Sequence, residues 1–153
     1  MATTDLRRGT VGSRPAFSTV NRSWSESMVV DFSNNNSTIA GVTQLFNVPA
    51  GVRVEGIIWE VITAEGATLT FDIGDATDTD GYVDGANGNT AGSGTSQFQI
   101  LTEAAPPTMG VVYGNGVFYA ANGVISIITV NAAATAVISV TAYGVDGTPQ
   151  TEA

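Results

Sequence analysis

Residues 52–75, VRVEGIIWEVITAEGATLTFDIGD, limit what this chain can become. In the second half, Ala67, Leu69, Phe71 and Ile73 fall on one side of an extended strand, with Thr68, Thr70 and Asp72 on the other. In the first half, Val52 and Val54 open one face before the bulky set shifts to Ile57, Trp59 and Val61. A one-residue slip at Gly56, of the β-bulge type, brings all five to the inner side. The spacing predicts two long strands folded back on each other across Thr63-Ala64-Glu65-Gly66. They build a sheet with one apolar face that the rest of the chain has to cover.

The flanking segments repeat this pattern. Residues 28–32 read as a short strand, and 42–48 as another with Val42, Gln44, Phe46 and Val48 on one side. Pro49-Ala50-Gly51 supplies a tight connection, because Pro fixes φ and Gly allows positive φ. Residues 75–97 form a Gly-rich loop with a short edge strand at Tyr82 and Val83. Apolar fragments at 98–101, 109–113 and 117–119 are cut by Pro106-Pro107 and by Gly114-Asn115-Gly116, whose Asn-Gly pair is a hairpin turn signal. Residues 124–130 and 136–145 read as a second hairpin, with Ile138, Val140 and Ala142 alternating against Ser139, Thr141 and Tyr143. No amphipathic helix and no 20–50-residue repeat is evident. About eight short strands imply an all-β protein, an antiparallel β-sandwich of the jelly-roll type.

A different composition marks residues 1–26, which show no periodicity of 2 or 3.6 and are broken by Gly9, Gly12 and Pro15. This segment is expected to be an extended N-terminal arm, followed by a single sandwich domain over 27–153. Within the first 22 positions Arg7, Arg8, Arg14 and Arg22 are four of the five basic residues, set against Asp5 alone, whereas the remainder of the chain has Arg53 against thirteen carboxylates. Phe17, Val20 and Trp24 are costly to leave in water, so the arm reads as a segment that orders against a partner, with Phe17 and Trp24 as anchors. An acidic body of net charge −9 argues against nucleic acid as a partner. No apolar run approaches membrane-spanning length, and no membrane association or secretory leader is expected.

Chemistry is narrowed by what is missing. Histidine, cysteine and lysine are absent, which removes the Ser-His-Asp, Cys-His and lysine nucleophile systems, disulfides and the commonest metal ligands. A carboxylate pair of the glycosidase kind remains formally open, but Glu55, Glu60 and Asp72 fall at solvent-facing strand positions. No catalysis and no cofactor are expected. Asp75, Asp78, Asp80 and Asp84 are the candidate Ca²⁺ ligands, yet the EF-hand spacing fails at its first and twelfth places, Ala76 and Asn87. A polar turn whose Asp side chains bond their own backbone fits better. Asn21-Arg22-Ser23, Asn35-Asn36-Ser37 and Asn36-Ser37-Thr38 match the glycosylation pattern and are read as chance.

Several motifs occur in a telling order: Leu45-Phe46-Asn47-Val48-Pro49-Ala50-Gly51, then Glu60-Val61-Ile62-Thr63-Ala64-Glu65-Gly66-Ala67-Thr68, then Phe71-Asp72-Ile73-Gly74-Asp75. With Asp80-Gly81-Tyr82-Val83-Asp84-Gly85 and Phe118-Tyr119-Ala120-Ala121-Asn122-Gly123, the chain resembles small jelly-roll cement or decoration proteins of tailed bacteriophages over about residues 40–145. The resemblance implies a homotrimer on the outer surface of the capsid, made in the host cytoplasm, that clamps neighbouring subunits of the phage major capsid protein. The arm lies outside the resemblance. Two alternatives are a receptor- or glycan-binding module of a head or tail fibre, using the 75–97 loop or exposed tyrosines such as Tyr113, Tyr119 and Tyr143, and a bacterial carbohydrate-active jelly roll.

Overall fold

The β-branched and aromatic runs become strands in the computed structural model, which describes residues 22–34, 37–66, 68–95 and 116–147. In chain order they are β1 (Arg22–Asp31), β2 (Gly41–Val48), β3 (Val52–Thr63), β4 (Thr70–Gly74), β5 (Val83–Asn87), β6 (Gly92–Thr95), β7 (Val117–Phe118), β8 (Gly123–Thr129) and β9 (Val137–Asp146). Two antiparallel sheets result, ordered β1-β9-β3-β6, with β7 also on β3, and β2-β8-β4-β5. Apart from β4 to β5 and β6 to β7, each strand is followed by one in the opposite sheet, which is the wiring of a jelly-roll sandwich. There is no helix among the described residues.

Both stretches read as long hairpins are instead crossovers. β3 pairs with β9, β6 and β7 while β4 pairs with β8 and β5, so residues 64–69 carry the chain from one sheet to the other. Likewise β8 pairs with β2 and β4, and β9 with β1 and β3. Alternation cannot separate the two arrangements, because strands facing each other across a core present the same apolar side as strands lying side by side. The inward sets themselves are as the spacing predicts: Leu69, Phe71, Ile73, Ile138, Val140 and Ala142 are fully buried. The register of β3 on β9 slips between Val54 and Gly56, which brings Val52, Val54, Ile57 and Val61 into the core. Trp59 packs at the core's margin, edge-on to Phe71 of the other sheet, with ring centroids 5.3 Å apart and planes at 86°.

Three sequence expectations are corrected. A register slip between Gln44 and Phe46 sends Leu45, Phe46 and Val48 inward and leaves Val42 65% exposed, because the extra residue inverts the alternation. β6 lies within the segment read as a loop and pairs with residues 58–61 of β3. Gly94 is required there, since a Cβ would sit 2.3 Å from the Trp59 ring. β1 starts at Arg22, so residues 22–26, assigned above to the arm, pair with β9 from Asp146 to Ala142. Ser23, Ser25 and Ser27 face outward beside Trp24, Glu26 and Met28, a contrast too weak to betray a strand. Gly51 does take the expected positive φ of 91° between β2 and β3. Residues 1–21, Ala67, and the fragments 98–101 and 109–113 lie outside the described residues.

The two crossovers meet at one end of the sandwich, where a buried carboxylate joins them. Glu65, in the first, accepts through Oε2 the N–H groups of Ala134, Thr135 and Ala136 at 2.9, 2.9 and 3.0 Å, and through Oε1 the Thr135 hydroxyl at 3.0 Å. Burial works to raise its pKa, but the hydrogen bonds, led by the Thr135 and Ala134 N–H groups, outweigh it and hold the carboxyl below the usual glutamate range. The first crossover is in turn fixed to β5's exit, with Glu65 N–H donating to Gly88 O and Gly88 N–H to Leu69 O, both 2.9 Å.

Glu65→Gln is expected to lower stability at neutral pH by about 2–3 kcal/mol, measured by urea denaturation, because an amide cannot accept all four donors. A carboxyl whose pKa falls on folding contributes its full stability above the unfolded value, about 4.3, and loses it as pH drops through the folded value. The gap between wild type and Glu65→Gln should therefore narrow below about pH 4. Gly94→Ala is expected to cost about 1–3 kcal/mol by displacing Trp59, whereas Gly92→Ala, with nothing within 4 Å of its added methyl, stays near wild type in the same assay.

Candidate functional site

The opposite end of the sandwich carries the acidic loop between β4 and β5. Asp75, 8% exposed, folds the loop onto itself: its Oδ1 accepts the N–H groups of Thr77 (2.8 Å) and Asp78 (3.1 Å), and its own N–H donates to Asp78 O (2.8 Å). This is the self-bonded polar turn expected from the sequence. Its other oxygen, Oδ2, accepts the Tyr119 hydroxyl at 2.7 Å, and that hydroxyl lies 3.1 Å from the hydroxyl of Tyr82. Burial, then the hydrogen bond with Tyr82 and the charge of Asp75, pushes the Tyr119 phenol far above its ordinary pKa, so it remains a donor at any working pH.

The remaining acidic candidates are not gathered into a cage. Asp78 is held above the usual carboxylate range by a hydrogen bond shared with Asp80, and then by burial. Asp84 is exposed and follows Val83 on β5. Asp72, half-buried on β4, is also raised, by burial first and by Asp84 and Asp80 nearby, against the N–H that Gly85 donates to its Oδ1 at 2.7 Å. Among the described residues, no group of three or more His, Cys, Asp or Glu side chains is arranged to hold a metal ion. An open depression of about 430 Å³ lies beside the loop, lined by Asp75, Thr77, Phe118, Tyr119, Asn122 and Val124. Its polar groups brace loops: Asn122 Oδ1 accepts the Ala50 N–H at 3.0 Å, and Asp75 and Tyr119 bind each other.

Of the arm candidates, Arg7, Arg8, Arg14 and Phe17 lie outside the described residues. Arg22 opens β1, and Trp24 is half-buried, packed against the core. Sequence reasoning missed Glu65 and the Tyr82–Tyr119–Asp75 chain, for which no local signal exists, since the partners come from segments dozens of residues apart. It also missed an exposed apolar set near the start of β2: Ile39, Val42 and Val130 are 72%, 65% and 43% exposed.

No family model matches the chain, and no curated protein matches it. Two solved structures contain chains of the same fold. One is the acidic stable capsid structure of Helicobacter pylori bacteriophage KHP30, with a TM-score of 0.59 and 13% identity over 86% of this chain and 94% of that one. The other is the cyanophage Pam1 capsid asymmetric unit, with a TM-score of 0.55 and 21% identity over 94% of this chain and 99% of that one. At such identities the likeness is one of fold.

Tyr119→Phe removes the hydroxyl that links Asp75 to Tyr82 and is expected to cost about 1–3 kcal/mol in thermal or urea unfolding. Tyr143→Phe, at a half-exposed position of β9, should leave stability within about 0.5 kcal/mol of wild type.

Proposed function

We propose that this chain is a virion structural protein without catalysis, a cement or decoration protein on the outer surface of a phage head that ties neighbouring major capsid protein subunits together. The observation that carries the reading is the extent of the fold likeness. The matches span 86% and 94% of this chain and 94% and 99% of a chain in each of two phage capsid structures. The order of motifs noted in the sequence points the same way, and on that ground the working unit is taken as a homotrimer.

The physics suits a passive clamp. Strands buried on their inner faces and crossovers held by Glu65 make a stiff body. Residues 1–21 supply a cationic extension with Arg7, Arg8 and Arg14 to pair with carboxylates of the shell. Each exposed pair contributes only about 0–1 kcal/mol, and repetition over a lattice compensates. The second reading, a receptor- or glycan-binding module, has in its favour Phe118, 61% exposed, beside the open depression. Stoichiometry separates the two: a cement protein is present in fixed, high ratio to the major capsid protein, and a fibre module in a few copies. Deleting residues 1–21, which spares β1, is expected to leave the sandwich folded by circular dichroism and to lower occupancy on isolated heads several-fold. Undiminished occupancy would refute the role given to the arm.

A further inference from the structure

The outer face of the β2-β8-β4-β5 sheet is apolar on one side and acidic on the other. Directly opposed residues of neighbouring strands share a face, so the pairs Val42–Ile128 and Ile128–Asp72 set a row across the sheet. The Gly85 N–H that binds Asp72 continues the row to β5, where Asp84 is the preceding residue. Val130, two residues beyond Ile128, and Ile39, on the turn into β2, extend the apolar half. Single exposed aliphatic residues need no explanation, but a contiguous group marks a contact surface.

We propose that this face receives the N-terminal arm of a second copy of the chain, with Val20 and Phe17 on the Val42–Ile128–Val130 stripe and Arg14 toward the Asp72 and Asp84 carboxylates. The inference rests on the reading of residues 1–21 as a gripping arm and names what its root grips; Arg7 and Arg8 are left for the shell. Charge and polarity match in order: the segment brings a cation next to two apolar anchors and carries Asp5 as its one carboxylate, and the face offers an apolar stripe next to two carboxylates. Chain length decides between the protein's own arm and a neighbour's. The arm joins β1 at Arg22, paired with Asp146, itself paired with Val52, at the end where Val48 meets Gly123. Val42 is six residues along β2 from that end, about 20 Å, and lies in the other sheet, about 10 Å across. Val20 stands two residues from Arg22 and reaches about 7 Å, and Phe17 about 18 Å. The straight path of roughly 22 Å runs through the core, so the route around the edge is longer still. A neighbour's arm has no such limit.

The chain contains no cysteine, so single cysteines report cleanly. Full-length Phe17→Cys protein is mixed with full-length Val42→Cys protein, oxidised mildly and resolved on a non-reducing denaturing gel, with Ser139→Cys, on the opposite sheet, as the control partner. The expected result is a covalent dimer in the Phe17→Cys plus Val42→Cys mixture, at least fivefold above the control and reduced several-fold by adding Asp84→Arg. Equal yields at the two positions would overturn the proposal, as would a double Phe17→Cys, Val42→Cys protein that closes within one chain. Cross-linking uses purified protein and occupancy uses heads. Failed cross-linking with arm-dependent occupancy intact sinks this inference alone, while efficient cross-linking with no head binding supports it and counts against the cement role.

Discussion

One carboxylate holds the two halves of the sandwich in register. Taking Glu65 out of water is costly unless its oxygens are satisfied, and four N–H and O–H donors do that work. All four come from the crossover between β8 and β9, while Glu65 itself stands in the crossover between β3 and β4. Each crossover must step about 10 Å between sheets, and such segments expose backbone groups that no ladder satisfies. A single side chain binds three consecutive N–H groups and so settles both segments at once. Among the described residues, no buried side-chain nitrogen or oxygen lacks a partner.

The same economy appears at the other end. Asp75 caps its own loop and receives Tyr119, so the acidic turn, the β7–β8 segment and Tyr82 form one unit. Both ends are thus fixed by neutral donors on carboxylates, in a chain with 12% charged residues. Hydrogen bonds of this kind weaken less with salt than exposed ion pairs do. The body is built to stay one shape, and the outer surface is left to make contacts.

What the sequence disclosed follows a physical line. Burial on one face was legible wherever alternation was strong, as in Leu69-Phe71-Ile73 and Ile138-Val140-Ala142, and the bulge beside Gly56 was forced by the shift from Val54 to Ile57. Pairing was not legible, because an apolar face does not say whether its complement lies beside it or across from it; hence the two mistaken hairpins. β2 failed for a related reason: Leu45 and Phe46 both point inward, and one unmarked extra residue turned Val42 from core to surface. β6 and the first half of β1 escaped notice because Gly92, Gly94, Ser23 and Ser25 carry no hydrophobic contrast, though β6 is specified by the Trp59 ring above it. The candidate surface depends on that reversal of Val42, so it could not have been seen before the register was known.

Segregation of charge ties these points together. Beyond Arg22 the chain has Arg53 alone against thirteen carboxylates, so two such bodies brought close together repel one another within a Debye length of about 8–10 Å. On the reading proposed above, contact between copies needs positive charge delivered to the acidic side of a neighbour, and Arg14 is the residue proposed to bring it, with Arg7 and Arg8 left for the shell. On that reading, an arm that neutralises and a body that repels make association conditional on the arm reaching its seat.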